Sequence, residues 1–113
     1  MAKRLLTEFG IGTSLRRQDY TEAAVRALRD ALWHNSINLA ELFGVEKHAM
    51  LLTVEIGVAK PDAVDIQALE AVFPYGQPTI RVTKGGLDVP REDGGKPTVI
   101  ANAAISVALE GVG

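Results

Sequence analysis

The sequence predicts an α+β fold: a two-layer sandwich in which a four-stranded sheet carries two main helices on one face, in the order β-α-β-α-β-β. Three observations predict it. Residues 49–58, 78–83 and 98–109 alternate apolar with other side chains at period two, the strand signature. Residues 19–33 and the stretch before Val72 repeat their apolar residues at helical spacing. The chain has 113 residues, 47% of them apolar, which fits one ordinary domain over 1–113 with a core of its own.

Each element follows in order. Residues 3–9 read as a first strand, with Leu5, Thr7 and Phe9 on one face and Leu6 and Glu8 on the other. Gly10 and Gly12 are expected to end it. Asp19 is placed to cap a helix, with Glu22 three residues on completing an Asp-x-x-Glu box. That helix runs to about Trp33, with an alanine-rich stripe of Ala24, Ala27, Leu28, Ala31 and Leu32 that lets it lie close against a sheet. Glu22, Arg26 and Asp30 form an i, i+4 charge ladder expected on the solvated side. Residues 39–44 add a short helical turn stopped by Gly44. In the second strand, 49–58, Met50, Leu52, Val54, Ile56 and Val58 share one face, and Pro61 follows it. Asp62 or Asp65 caps a second helix whose stripe is Val64, Ala68, Leu69 and Val72. Residues 73–76 turn sharply into a third strand, 78–83, and 84–86 bend it. The segment 90–97, "PREDGGKP", is the most turn-like of the chain, and a long last strand follows over 98–109.

Composition excludes several classes. Without cysteine there is neither a disulfide framework nor a thiolate metal site, and the chain suits a reducing cytoplasm, the expected location. The basic N-terminus has an apolar run broken at Glu8, too short for a signal peptide, and no apolar stretch nears the roughly 20 residues of a membrane span. Net charge is −2, the 12 basic residues are scattered, and the aromatic residues (5%) do not interleave with them, so no nucleic-acid partner is expected. His34 and His48 do not stand at ligand spacing, and neither a metal nor a cofactor is expected.

Candidate sites remain. "GIGTSLRR" lacks the third glycine of the dinucleotide fingerprint and the Gly-Lys-Ser/Thr of phosphate-loop NTPases. Gly10 and Gly12 then read as a strand exit needing positive φ, or the loop presents Arg16 and Arg17 as an anion clamp. One sheet face is expected to carry the helices. The other, open face would show Glu8, Thr53, Glu55, Arg81, Thr83, Asn102 and Ser106 among Leu6, Leu51, Ile100 and Ala104, a mixture suited to a partner subunit. On that face Glu8 and Glu55 form an acid/base pair if their strands are neighbours, with Arg81 orienting a substrate oxygen; otherwise the charges form a cross-strand ion pair. Ser14 and Ser106 sit in no nucleophile-elbow pattern. Trp33 and Arg29 read as a surface cation–π pair.

"GIG", "TEAAVRALRDALWHNSI", "VFPYG", "KGGL" and "VIANAAISVAL", taken in order, resemble a small family of conserved hypothetical proteins of about this length, found in bacteria and, with an N-terminal extension, in plants. The resemblance covers nearly the whole chain and implies no activity. The family carries Gly-x-Gly-x-Asp-x-His-Gly near the N-terminus. Here Gly10 and Gly12 match, while Ser14, Arg16 and Arg17 stand where the rest of that motif falls, so metal or proton chemistry of an Asp/His pair does not carry over. At fold level the chain is also similar to one repeat of the ring-opening amidohydrolases, cyanuric acid hydrolase and barbiturase, and to YjgF-type trimers. The serine motif of the amidohydrolases is absent.

The expectation is a cytoplasmic homo-oligomer that binds a small anionic or cyclic-imide metabolite between subunits, with hydrolysis or isomerisation as its chemistry. Glu55 and Arg81 are the catalytic candidates, and Gly10, Gly12, Ser14, Arg16, Arg17 and Asn102 the ligand-binding ones. The alternative is a non-catalytic accessory or assembly protein that uses the open sheet face as its interface.

Overall fold

The computed structural model describes residues 2–33, 51–73 and 77–110. The elements are β1 (Ala2–Ser14), α1 (Tyr20–Trp33), β2 (Leu51–Val58), a 3-10 turn (Pro61–Ala63), α2 (Ile66–Glu70), β3 (Gln77–Lys84), β4 (Leu87–Val89) and β5 (Thr98–Glu110). They build an α+β fold with one open sheet. The strand order is β1-β5-β2-β3, and β4 pairs with the start of β5. β5 runs antiparallel to both β1 and β2, while β2 and β3 are parallel. β1 and β2 therefore point the same way with β5 inserted between them. The sheet has five strands rather than four, because the chain leaving the bend at 84–86 adds the short β4, with Gly85 N–H donating to Val58 O (2.9 Å). The helical turn expected over 39–44, residues 49–50 of the second strand, His34, His48 and the 74–76 part of the sharp turn lie outside the described residues.

The glycines of "GIG" do something other than end a strand. β1 continues through both of them to Ser14, and neither has positive φ. They face α1. A Cβ at residue 10 would stand 3.0 Å from Ala31 Cα, and one at residue 12 would stand 2.7 Å from the Arg26 carbonyl carbon, with backbone atoms of Ala23, Ala27 and Ala31 nearer still. Carbon atoms in ordinary contact stay about 3.5–4.0 Å apart. Only glycine in the strand, opposite alanine on the helix, lets the two backbones touch. Ala23, Ala24, Ala27, Leu28 and Ala31 are fully buried in that seam.

α1 is capped as expected at Asp19, whose Oδ1 accepts from Glu22 N at 2.9 Å. The Glu22 side chain does not reach back to the cap. Buried Ser14 does that job, its Oγ accepting from Asp19 N at 3.1 Å. Asp65, not Asp62, caps α2, accepting from Gln67 N at 3.0 Å. Thr21 Oγ1 on α1 accepts from Asp65 N at 2.9 Å and ties the two helices together.

The charge ladder of α1 forms its i, i+4 contact between Glu22 and exposed Arg26, and it also holds the sheet. Arg26 Nη1 donates to Thr13 O (2.8 Å) and Asp30 Oδ2 accepts from Ile11 N (2.8 Å), so both side chains fasten the helix to the outer edge of β1. An edge strand with outward-pointing backbone groups invites pairing with other chains, and these two contacts occupy two of those groups.

The core lies between the helices and one sheet face: Leu52, Val54, Ile56 and Val58 of β2, alternate residues from Val99 to Val107 of β5, and Leu69 of α2. Ile80 and Val82 of β3 pack against it. At one end Tyr20, almost wholly buried, donates its hydroxyl to Asp88 Oδ2 of β4 and accepts from Gln18 Nε2 (3.0 Å). Burial, then the bond to Asp88, pushes the Tyr20 phenol above its ordinary pKa. The other Asp88 oxygen is buried and has no hydrogen-bond partner among the described residues.

Candidate functional site: the open face of the sheet

The pairing register shows which side chains share the uncovered face. Paired residues on adjacent strands point the same way. Phe9 pairs with Ala104, Ala104 with Glu55, and Glu55 with Arg81, so these four form one row across the sheet. The next row is Ile11, Asn102, Gly57 and Thr83, and the row on the other side is Thr7, Ser106, Thr53 and Thr79. Leu87 stands beside Ile100, across from Thr13. Among the described residues, helices cover only the opposite face. The molecule extends 54 × 23 × 20 Å with a radius of gyration of 15.3 Å, above the roughly 13 Å of an evenly packed domain this size, because β1 and β5 each run 13 residues, about 43 Å.

Glu55, Arg81 and Asn102 are on this face, as expected. Glu8 is not. It pairs with Ile105, a core residue, and so lies on the helix side. The cause is the glycine seam. Once Gly10 and Gly12 must face α1, every even residue of this part of β1 does too, and Phe9 and Ile11 turn outward. With β5 between β1 and β2 as well, the proposed Glu8–Glu55 acid/base pair does not form. Glu55 instead accepts from Arg81, Nη2 to Oε1, at 3.1 Å, with side chains 56% and 72% exposed. This is the cross-strand ion pair. In such exposure it contributes about 0–1 kcal/mol to stability.

Five of the six expected ligand residues fall into two groups, and Gly12 lines neither, being seated against the α1 backbone. Gly10 and Asn102 line a depression of about 420 Å³ with Phe9, Ile11, Asp30 and Ala103. Ser14, Arg16 and Arg17 line another, of about 320 Å³, with Leu15, Glu22 and Arg26. Arg81 lies three strands from β1, roughly 14 Å away at the usual strand spacing. One chain therefore does not gather Arg16, Arg17, Glu55, Arg81 and Asn102 into a single site. Ser14 is buried and holds Asp19, which leaves it no place as a nucleophile. Arg17 bonds Glu22, and that bond raises its guanidinium pKa. Among the described residues, no group of three or more His, Cys, Asp or Glu is placed to hold a metal ion, and no helix is long and apolar enough to cross a membrane.

Sequence reading placed Leu51, Ile100 and Ala104 on this face but missed its most exposed apolar side chains. Phe9 is 69% exposed, Ile11 61% and Leu87 61%. The signal was available: in "FGIG" the glycines and the apolar residues alternate, so whatever seats the glycines against a helix turns Phe9 and Ile11 away from it.

The fold and this face define a class, a two-layer α+β sandwich with one helix layer and a mixed sheet face that no described helix covers. The profile of the conserved hypothetical protein family Lin0512_fam matches residues 4–107, and the chain belongs to that family. A crystal structure of an FtsZ-like protein of unknown function from Nostoc punctiforme is similar to it, at 33% identity and a TM-score of 0.88, over 96% of this chain and 97% of that one. No curated protein matches the chain. Neither match bears on the likeness to amidohydrolases or YjgF-type proteins.

Proposed function

We propose that the protein is an assembly module that associates with further copies of itself through the open face of its sheet. The observation that supports this best is the Phe9–Ala104–Glu55–Arg81 row. It sets exposed Phe9 and half-buried Ala104 beside an acid and a base that are neighbours. Such a patch is its own complement: about a two-fold axis, Arg81 of one copy meets Glu55 of the other. Phe9, Ile11 and Leu87 supply the apolar area, and the Thr7, Thr53 and Thr79 row a polar rim. The geometry favours assembly over the catalytic reading, because Glu55 and Arg81 are engaged with each other.

A charge-swap cycle followed by sedimentation velocity tests the proposal. Glu55→Arg sets two arginines against their counterparts and is expected to weaken self-association about tenfold or more. Adding Arg81→Glu restores opposite charges and is expected to recover most of the loss. Association untouched by Glu55→Arg, or not recovered by the double variant, would sink the assignment of this face.

A further inference from the structure

We infer that the cleft between the loop after β1 and the side of α1 is a binding site for a phosphate monoester. It lies off the open face, so the inference stands apart from the assembly reading. Three arginines, 16, 17 and 26, line a depression of about 320 Å³, and a single glutamate, Glu22, lines it with them. Glu22 bonds both Arg17 and Arg26, whereas Arg16 has no carboxylate partner among the described residues. Asp19, the other acid nearby, caps α1 through its bond to Glu22 N, where the helix terminus offsets its charge. The cleft is left with an excess of about two positive charges, in a chain whose net charge is −2. A phosphate monoester carries close to two negative charges at neutral pH and presents oxygens that guanidinium forks match in pairs.

The loop is also held in place. Leu15 O accepts from Thr98 Oγ1 (3.2 Å), Asp19 N donates to Ser14 Oγ (3.1 Å), and Gln18 Nε2 donates to Tyr20 OH (3.0 Å). Gln18 itself sits at φ 51°, a left-handed conformation uncommon outside glycine, which turns the chain sharply into α1. Arg26 is steadied by Thr13 O. Arg16 takes no part in any of these contacts and projects, exposed, from a loop pinned on either side of it. The backbone that carries Arg16 is thus set in place beforehand, and binding has to order only its side chain. Leu15, also exposed, gives the mouth of the cleft an apolar lip for the organic part of the ligand.

The test is a titration with phenyl phosphate and, separately, inorganic phosphate at constant ionic strength, read from the arginine side-chain Nε–H signals in NMR. Saturable shifts at Arg16 and Arg17 are expected, with phenyl phosphate the tighter of the two. Arg16→Gln is expected to weaken binding about tenfold. Glu22→Gln should do the reverse and tighten binding, since it removes the carboxylate that competes for Arg17 and Arg26. Lys84→Gln, which removes an exposed cation at the end of β3, three strands from β1, should change nothing. Shifts that fail to saturate, an equal loss in Arg16→Gln and Lys84→Gln, or weaker binding in a folded Glu22→Gln protein would overturn the inference.

Discussion

Replacing Gly12 with alanine probes the seam on which the whole arrangement rests. The new Cβ would stand 2.7 Å from the Arg26 carbonyl carbon, and closer to Ala27 N and Ala23 O. Because the obstructing atoms are backbone, no side chain can swing aside. Normal carbon contacts of about 3.5–4.0 Å require α1 to back away by roughly 1 Å. That movement opens a gap under Ala23, Ala24, Ala27 and Leu28, all fully buried. Overpacking alone costs about 1–3 kcal/mol, and the lost contacts add to it, so the expected destabilisation is about 3 kcal/mol or more. At about 4 °C per kcal/mol for a domain this size, the melting temperature falls by roughly 12 °C. Urea unfolding at one fixed protein concentration measures it, the fixed concentration being needed because association shifts apparent stability. The sign is the decisive part. In a strand with room for a side chain, Gly→Ala raises stability by about 0.5–1 kcal/mol. A Gly12→Ala protein as stable as the parent, or more so, would refute the seated helix and with it the outward direction of Phe9 and Ile11.

Other perturbations have defined outcomes. Tyr20→Phe removes the donor to Asp88, one of whose oxygens already lacks a partner, and is expected to cost about 1–3 kcal/mol in the same urea assay. The raised Tyr20 pKa makes stability depend on alkaline pH: the folded state holds the phenolic proton more tightly, so this contribution is complete below pH 10 or so and is lost as pH rises through the folded value. Absorbance titration of a Tyr75→Phe protein, in which Tyr20 is the one remaining tyrosine, reads that shift directly. Asp30→Ala uncovers Ile11 N–H on the β1 edge; it is expected to cost about 1 kcal/mol and to raise light scattering on storage as edges pair.

Much of the fold was legible because its signals are local. Period two over 98–109, the Asp19 cap and the alanine stripe each name their element with no knowledge of the rest of the chain. The helix-covered face was legible too, from Leu52, Val54, Ile56, Ile80 and Val82. What failed depended on partners distant in sequence. Glycines in a strand look like an exit until an alanine-rich helix is laid over them, and that placement reverses the two faces of β1. β4 is a three-residue strand paired with β5, too short to show a period. Glu55 and Arg81 were found on the right face, and the cross-strand ion pair was one of the two readings offered; choosing between them needed the register of β2, β3 and β5, which no local pattern encodes. The arginine loop was singled out for its charge, whereas Arg26, twelve residues beyond Ser14, joins it only once α1 folds back along β1.

The absolute molar mass in solution, measured by light scattering after size exclusion, bears most directly on the assembly proposal. The wild-type chain is expected at twice its 12.1 kDa or a higher multiple, and Phe9→Lys, which alters a side chain that is exposed in the single chain, is expected at 12.1 kDa. A wild-type mass of 12.1 kDa across the accessible concentration range, or an undiminished multiple in Phe9→Lys, would contradict it.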